Sequence, residues 1–391
     1  MNLVLFAHPT FLAHQSMPRY ARMLADGLRA RGHTVEVWTP EPLFHRLPAP
    51  GSLRKWLGYA DQYMRFPAQV RRRVRRCPPD TLFVFADHAL GPWVPLVGQR
   101  PHVVHCHDFL AQRSALGEVP ENPTGWTGRQ YQAFIRQGYR QARHFISVSE
   151  TTRADLHRFL SAPPVTSEVV YNGLNQHFIR LAPADARRDL SRATGLDLSA
   201  GYLLHVGGNQ WYKNRLGVVE IYEAWRAQAS QLLPLLLIGE APDEGLQERC
   251  AHSAFRNDIH LLSGLADAQV RQAYAGATAF IFPSLAEGFG WPVAEAMAAG
   301  CPVITTREAP MTEVGAEAAF YIPRRPTENP EAWAATSAEV VHNVVELNSE
   351  ERTKVVEKGR ANARRFAPAA ALDHMEEIYR AILATYPNAA P

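Results

Sequence analysis

The sequence predicts an α/β protein built as two doubly wound domains, each a parallel sheet covered by helices. Three observations carry that reading. Strand-like and helix-like segments alternate along the whole chain. The strand-like runs are apolar and rich in β-branched residues, as strands buried on both faces are. The alternation comes as two separate runs within 391 residues, a length suited to two domains.

The first run opens with LVLFAH, a short apolar segment with no Lys or Arg before it, which reads as a buried strand rather than a secretory leader. SMPRYARMLADGLRARGH follows, with Tyr20, Met23, Leu24 and Leu28 at helical spacing and Gly32 where a helix commonly closes. TVEVWT, TLFVFA, HVVHCH and HFISVS read as further strands, with helices over 129–143 and from Ser149 onward. In the second run YLLHVGG, PLLLIGE, IHLLSG, AFIFPS and PVITT are strands, separated by helices over 215–228, 267–275 and 294–299. The break between the runs falls between Leu174 and Pro183, after VVYNGLN. No repeat of 20–50 residues is visible.

Composition narrows the class. A hydrophobic share of 46% excludes intrinsic disorder. No apolar run approaches the roughly 18 residues of a membrane span. Cys77, Cys106, Cys250 and Cys301 are scattered and form no CxxC, which argues against a disulfide framework or structural zinc and for a reducing cytoplasm. The net charge of +3 hides an asymmetry: the first 174 residues carry 21 Lys and Arg against 12 Asp and Glu, and the remainder is acidic. A basic first half suits an anionic neighbour, whether a lipid surface, a phosphorylated acceptor or a nucleic acid.

Ligands of open parallel sheets bind beyond the carboxyl ends of the strands, so residues just after each strand carry the functional signal. After AFIFPS comes LAEGFGWPVAEAMAAG. Glu287 and Glu295 stand eight residues apart with Gly288 and Gly290 between them, and Pro292 marks a helix start. Glycines let a ligand approach the backbone, and free N–H groups at a helix start suit a phosphate. A carboxylate beside such a site suits ribose hydroxyls. A single glutamate there would equally be a solvated helix charge; the whole string is hard to read that way.

EGFGWPVAEAMAAGCPVITT closely resembles the E-x7-E signature of retaining glycosyltransferase family 4, which has the GT-B fold and includes bacterial polysaccharide and glycolipid enzymes. The resemblance covers nearly the whole chain. It includes SMPRYARMLADGLRARGHTVEVWT as first helix and second strand, HVVHCHDF as the histidine strand-end and ISVSETTRADL as a late N-terminal element. VVYNGLN matches the hinge, and HVGGNQWYKN the phosphate loop with its lysine. The resemblance implies an acceptor-binding Rossmann-like domain over 1–174 and a nucleotide-sugar-binding one over 175–371, facing across a cleft. A C-terminal helix and tail over 372–391 then crosses back to the first domain.

It also implies roles. Glu295 would hold the ribose hydroxyls and Glu287 the hydroxyls of the donor sugar. Gly288 and the backbone N–H groups of Phe289, Gly290 and Trp291 would face sugar or phosphate. Lys213 would neutralise the diphosphate, with Gly207 and Gly208 letting it approach. The base would sit against Gly239–Glu240 and Ser263–Leu265. His107 would face the donor sugar, so that His107, Lys213 and Glu287 form the catalytic set, while His105 packs in its strand. Many members carry an arginine at or shortly before the lysine; here Gly208–Gln210 and Tyr212 stand there, and Arg215 either reaches the phosphate or lies on a helix surface. The YKN triplet, common among mannosyltransferases of the family, puts GDP-mannose ahead of UDP sugars as donor. No cofactor and no metal are expected: the chain has no DxD, and the alternating histidines lack a third ligand at zinc-like spacing.

The loop AHPTFLAHQSMPRY lacks the family's usual Gly-Gly, leaving His8, Ser16 and Arg19 near the place of the acceptor; Ser16 would equally cap the helix. SLRKWLGYADQYMRFPAQVRRRVRRC carries Arg54, Lys55, Arg65, Arg71, Arg72, Arg73, Arg75 and Arg76 against Asp61 alone, with aromatic residues interleaved. That pattern reads as a peripheral membrane contact on the cytoplasmic face, or as a solvated helix whose apolar side packs on the sheet. No nucleic-acid module accompanies the arginines. The implied activity is retaining sugar transfer to a hydroxyl of a saccharide or lipid-linked acceptor. A catalytically silent carbohydrate- or partner-binding protein, and a sugar-nucleotide epimerase or hydrolase, are the alternatives.

Overall fold

A computed structural model describes residues 1–11, 16–174, 178 and 181–386, with the side chains of Ser16 and Ser52 outside that description. The chain forms two compact units, Met1–Asn175 with Pro368–Pro391, and Gln176–Ala367.

The first unit holds strands β1 (Asn2–Phe6), β2 (Thr34–Trp38), β3 (Leu82–Phe85), β4 (His102–Cys106), β5 (His144–Ser147) and β6 (Thr166–Val169). They form one parallel sheet in the order β2-β1-β3-β4-β5-β6. The order reverses between β1 and β3, which makes the ends of these two neighbouring strands the switch point of the sheet. Phe6, Phe83 and Phe85 from the sheet meet Phe66 and Trp93 from the covering helices, with Phe6 stacked on Phe85 at 4.5 Å.

The helix Pro368–Ala384 packs with this unit although it is last in sequence. His105 explains how. It is fully buried, with Tyr20 Oη on Nδ1 at 2.6 Å and Tyr379 Oη on Nε2 at 2.8 Å. Burial pulls its pKa down to about 3, so the ring is neutral and both nitrogens are occupied. Arg31 adds an ion pair to Asp373 at 2.6 Å. The helix is continuous from Pro368, so the second unit ends at Ala367, ahead of the break expected at 371.

The second unit holds β7 (Leu203–Val206), β8 (Leu235–Gly239), β9 (Ile259–Ser263), β10 (Ala279–Phe282), β11 (Val303–Thr306) and β12 (Phe320–Ile322). Its parallel order is β12-β11-β10-β7-β8-β9, with the reversal between β7 and β10. The strands expected from the sequence are all present. β6 and β12 were not expected: both lie at sheet edges, where one side is unpaired and the apolar signal is weak.

The arginine-rich segment is not one helix. The helix Gly51–Ala60 passes through a π-turn at Asp61–Arg65 into the helix Phe66–Val74. Asp61, only 1% exposed, fixes the turn: its carboxylate accepts the N–H groups of Leu43, Phe44 and His45 at 2.9–3.1 Å. Phe66, Val70 and Val74 pack into the core, leaving Arg71, Arg72, Arg75 and Arg76 exposed. Arg73 is committed elsewhere, stacked over Trp38 at 4.1 Å and paired with Glu36 at 3.1 Å. One face of the segment thus packs into the core, and the other is basic and exposed.

Candidate active site

The reversal between β7 and β10 brings together the two loops that carry the signature residues. After β7 the chain runs through Gly207 and Gly208 to a short 3-10 turn, Trp211–Lys213. After β10 it runs through Pro283 and Ser284 to Glu287. Lys213 Nζ meets Glu287 Oε1 at 2.8 Å, with side chains 14% and 9% exposed. The ammonium also lies over the rings of Tyr212 and Phe282, at 5.3 and 5.1 Å.

Three residues outside the expected set hold this pair in place. Ser284 Oγ lies 2.7 Å from Glu287 Oε1 and 2.8 Å from the Tyr212 carbonyl, tying the two loops. Asn214 adopts a left-handed conformation, with φ +53°, and its Oδ1 accepts the Gly217 N–H to cap the helix Arg215–Arg226. Its Nδ2 donates to the Pro283 carbonyl at 2.9 Å. The asparagine of the YKN triplet is thus a cap and a stitch between loops. Beneath them His205 donates Nδ1–H to the Ile281 carbonyl and stays neutral, since burial takes its pKa to about 3.

The glycines answer to close approach. A Cβ on Gly239 would lie 2.0 Å from the Gly207 carbonyl oxygen, so the ends of β7 and β8 touch backbone to backbone. A Cβ on Gly207 would meet His205 Nε2 at 2.8 Å, and one on Gly208 the side chains of Gln210 and Glu240. Gly290 is needed for its conformation: it sits at φ +98° just before the helix Trp291–Ala299.

Glu295 lies within that helix, and its Oε2 accepts from Tyr274 Oη at 3.1 Å. Burial and the neighbouring carboxylate hold the Tyr274 phenol well above its usual range, so it remains a donor. The Phe289 ring is buried against Phe366 at 5.3 Å, which leaves the residue only its backbone to offer a ligand. Leu265 is half-buried in the loop after β9. Lys213, the glycine loop and the helix start at Trp291 can together receive an anion, while Glu287 and Glu295 can accept hydroxyls.

The first unit has its own strand-end cluster, which sequence reasoning found only in part. His8 follows β1; Asp87 and His88 follow β3. Asp87 Oδ2 meets His8 Nε2 at 2.8 Å, and Oδ1 meets His88 Nδ1 at 2.9 Å. Burial works against the Asp87 charge, but the two imidazoles outweigh it and hold the carboxyl well below its usual range. Burial likewise opposes the His88 charge, yet Asp87 leaves its pKa raised. His107, after β4, is buried, and its Nε2 lies 2.9 Å from the Ala86 carbonyl. Burial takes it down to about 4, so it is neutral; the carbonyl can only accept, which leaves Nδ1 as an acceptor. Asp87 and His88 were legible in principle, since they directly follow a strand.

Arg19 is exposed on the helix Ser16–Ala30. Residues 12–15 of the unusual loop, and the Ser16 side chain, lie outside the described residues. Among the described residues no group of three or more His, Cys, Asp or Glu is placed to hold a metal ion.

Comparison with known proteins adds the following. Residues 17–178 match the model of Glycosyltransferase Family 4, and residues 200–343 that of Glycosyl transferases group 1. O-antigen chain mannosyltransferase B of Escherichia coli is 26% identical over 187 residues, 47% of this chain and 48% of that protein. The chain spans about half the length of the first curated relatives it matches. Sucrose-phosphate synthase from Thermosynechococcus elongatus superposes with a TM-score of 0.73 at 19% identity, over 98% of this chain and all of that one (100%). Anabaena HepE in complex with UDP and glucose gives a TM-score of 0.70 at 18% identity, over 97% and 100% of the chains. At these identities the structural likeness concerns the two-domain fold.

Proposed function

The chain belongs to glycosyltransferase family 4, and from that premise we propose that it moves a sugar from a nucleotide-diphosphate sugar to a hydroxyl of a saccharide or lipid-linked acceptor, with retention and without a metal. The observation that carries the reading is the Lys213–Glu287 pair at the β7/β10 reversal, set among close-packed glycines and a helix start. In this reading Lys213 and loop N–H groups stabilise the departing diphosphate, the main electrostatic contribution. The acceptor hydroxyl attacks from the face the diphosphate leaves, and a diphosphate oxygen takes its proton, so no enzymic nucleophile is needed. Glu287 positions the donor sugar and Glu295 the ribose, while His107 of the first unit has Nδ1 as an acceptor for a hydroxyl. GDP-mannose stands first as donor, supported by the YKN triplet and the similarity to a mannosyltransferase; UDP sugars stand next.

The test is a thermal-shift panel with GDP, UDP, ADP, dTDP and CMP on the wild-type chain and on Glu295→Ala. A ligand at 100 times its dissociation constant adds about 2.7 kcal/mol to native stability. One nucleotide should raise the melting point of the wild type and fail to raise that of the variant. No shift with any of them would sink the donor-site reading.

We further propose that the first unit docks on an anionic lipid surface. Leu53, Trp56 and Met64 project from the helix and π-turn, with Trp56 and Met64 64% and 73% exposed. Between Pro42 and Cys77 the only carboxylate is Asp61, which is consumed internally. The exposed surface of this segment is therefore apolar and cationic, the chemistry of a membrane interface. Among the described residues no helix is long and apolar enough to cross a membrane. Binding to phosphatidylglycerol vesicles should weaken as salt rises and fall with Trp56→Ser. Equal binding to neutral vesicles, or none to either, would count against the surface.

A further inference from the structure

Arg215 opens the helix Arg215–Arg226, yet its side chain does not lie on the helix surface: only 6% of the residue is exposed. Nη1 donates to Asn209 Oδ1 at 2.5 Å and to the Glu240 carbonyl at 3.2 Å, both uncharged acceptors. Nε is buried without a hydrogen-bond partner, and Nη2 bonds to no described residue. No described carboxylate reaches it within ion-pair distance; Asp243 and Glu240 act on it from further away. The contrast is Arg325, which lines the same cavity and is paired through two nitrogens with Glu220, at 2.7 and 2.8 Å.

The cavity measures about 230 Å³ and is bounded by Asn209, Trp211, Arg215, Asp243, Leu285 and Arg325 among others. It adjoins the Gly207–Lys213 loop. A guanidinium withdrawn from water with no counter-ion is costly, and an anion sharing its cavity removes that cost. Nη2, unlike Nε, is not wholly buried, so its N–H groups can donate to a phosphoryl oxygen. Nη1, already fixed by Asn209 and Glu240, holds the guanidinium in place.

We propose that this cavity is a phosphoryl-binding site with Arg215 as its buried cation. The phosphoryl group comes either from the nucleotide-diphosphate donor, which rests on the function proposed above, or from free phosphate or a small phosphorylated molecule. In the first case Arg215 completes, from behind the loop, the cationic site that Lys213 begins.

The full chain is titrated with inorganic pyrophosphate, inorganic phosphate and GDP by calorimetry, as wild type, Arg215→Gln and Arg215→Lys, with unliganded melting points recorded. Pyrophosphate affinity should fall at least about tenfold in Arg215→Gln. Arg215→Lys should recover part of it, having the charge but not the fork. The unliganded Arg215→Gln chain should melt no lower than wild type, because an uncompensated buried charge has been removed. Competition between phosphate and GDP would assign the site to the donor; additive binding would assign it to a free phosphorylated molecule. Pyrophosphate binding that is unchanged in both variants overturns the proposal. So does an Arg215→Gln chain that melts lower while binding normally, since Arg215 would then only buttress Asn209. Pyrophosphate binding lost with Arg215, in a chain that binds no nucleotide, would sink the donor reading and leave this site standing.

Discussion

Lys213→Ala should lower turnover about a hundredfold, the usual consequence of removing one preorganised donor from a site where charge develops. The ammonium is largely shielded from solvent and flanked by two aromatic rings, so no water replaces it on equal terms. In the unliganded site it is paired with Glu287; when the diphosphate departs, the same ammonium must answer the new charge. The loss should therefore appear mainly in kcat, with a smaller change in KM. Truncation also leaves Glu287 with Ser284 as its remaining neutral partner, so part of the effect will be a lower melting point. Steady-state kinetics at a temperature well below the variant's melting point separates the two. Near-normal turnover under those conditions would overturn the assignment of Lys213 to the leaving group.

Gly239→Ala should destabilise the second unit by about 3 kcal/mol, at the upper end of overpacking effects. The added Cβ would lie 2.0 Å from the Gly207 carbonyl oxygen, a backbone atom that cannot swing aside. Relief requires the β7 and β8 strand ends to part, and the loop carrying Gly207, Gly208 and Lys213 moves with them. Gly245→Ala is the matched control: its Cβ would meet only Asp243 Oδ1, at 3.7 Å. There the change should be neutral or stabilise the helix Glu244–Ala251 by up to about 1 kcal/mol. Urea denaturation of both variants decides the matter. Equal stability of the two would show that the strand ends are not in close contact.

The candidate donor site was legible because each of its parts stands within a short local string. Lys213 follows one strand and Glu287 another, each within a short string whose glycines and helix start have a chemical reason to be there. The histidine cluster of the first unit was less legible. His8 and Asp87 carry no such local string and meet because β1 and β3 are neighbours in the sheet. Arg215 shows the limit most sharply. Sequence left it divided between phosphate and helix surface, and its burial and its two neutral acceptors belong to the folded loop alone.

The sequence by itself determined the two parallel sheets, the helices between their strands, the carboxylates and lysine of the second unit, and the absence of a membrane-spanning run. These depend on local periodicity and on which residue types stand at strand ends, and both can be read along a line. The tertiary structure alone decided four things. It decided that the last helix packs on the first sheet through Tyr379 and His105, and that a π-turn pinned by Asp61 divides the arginine-rich segment. It decided that Ser284 and Asn214 lock the lysine and glutamate loops together, and that Arg215 is buried with no counter-ion among the described residues. Each of these depends on contacts between residues distant in sequence, and a linear pattern carries no record of which distant groups will share a desolvated space.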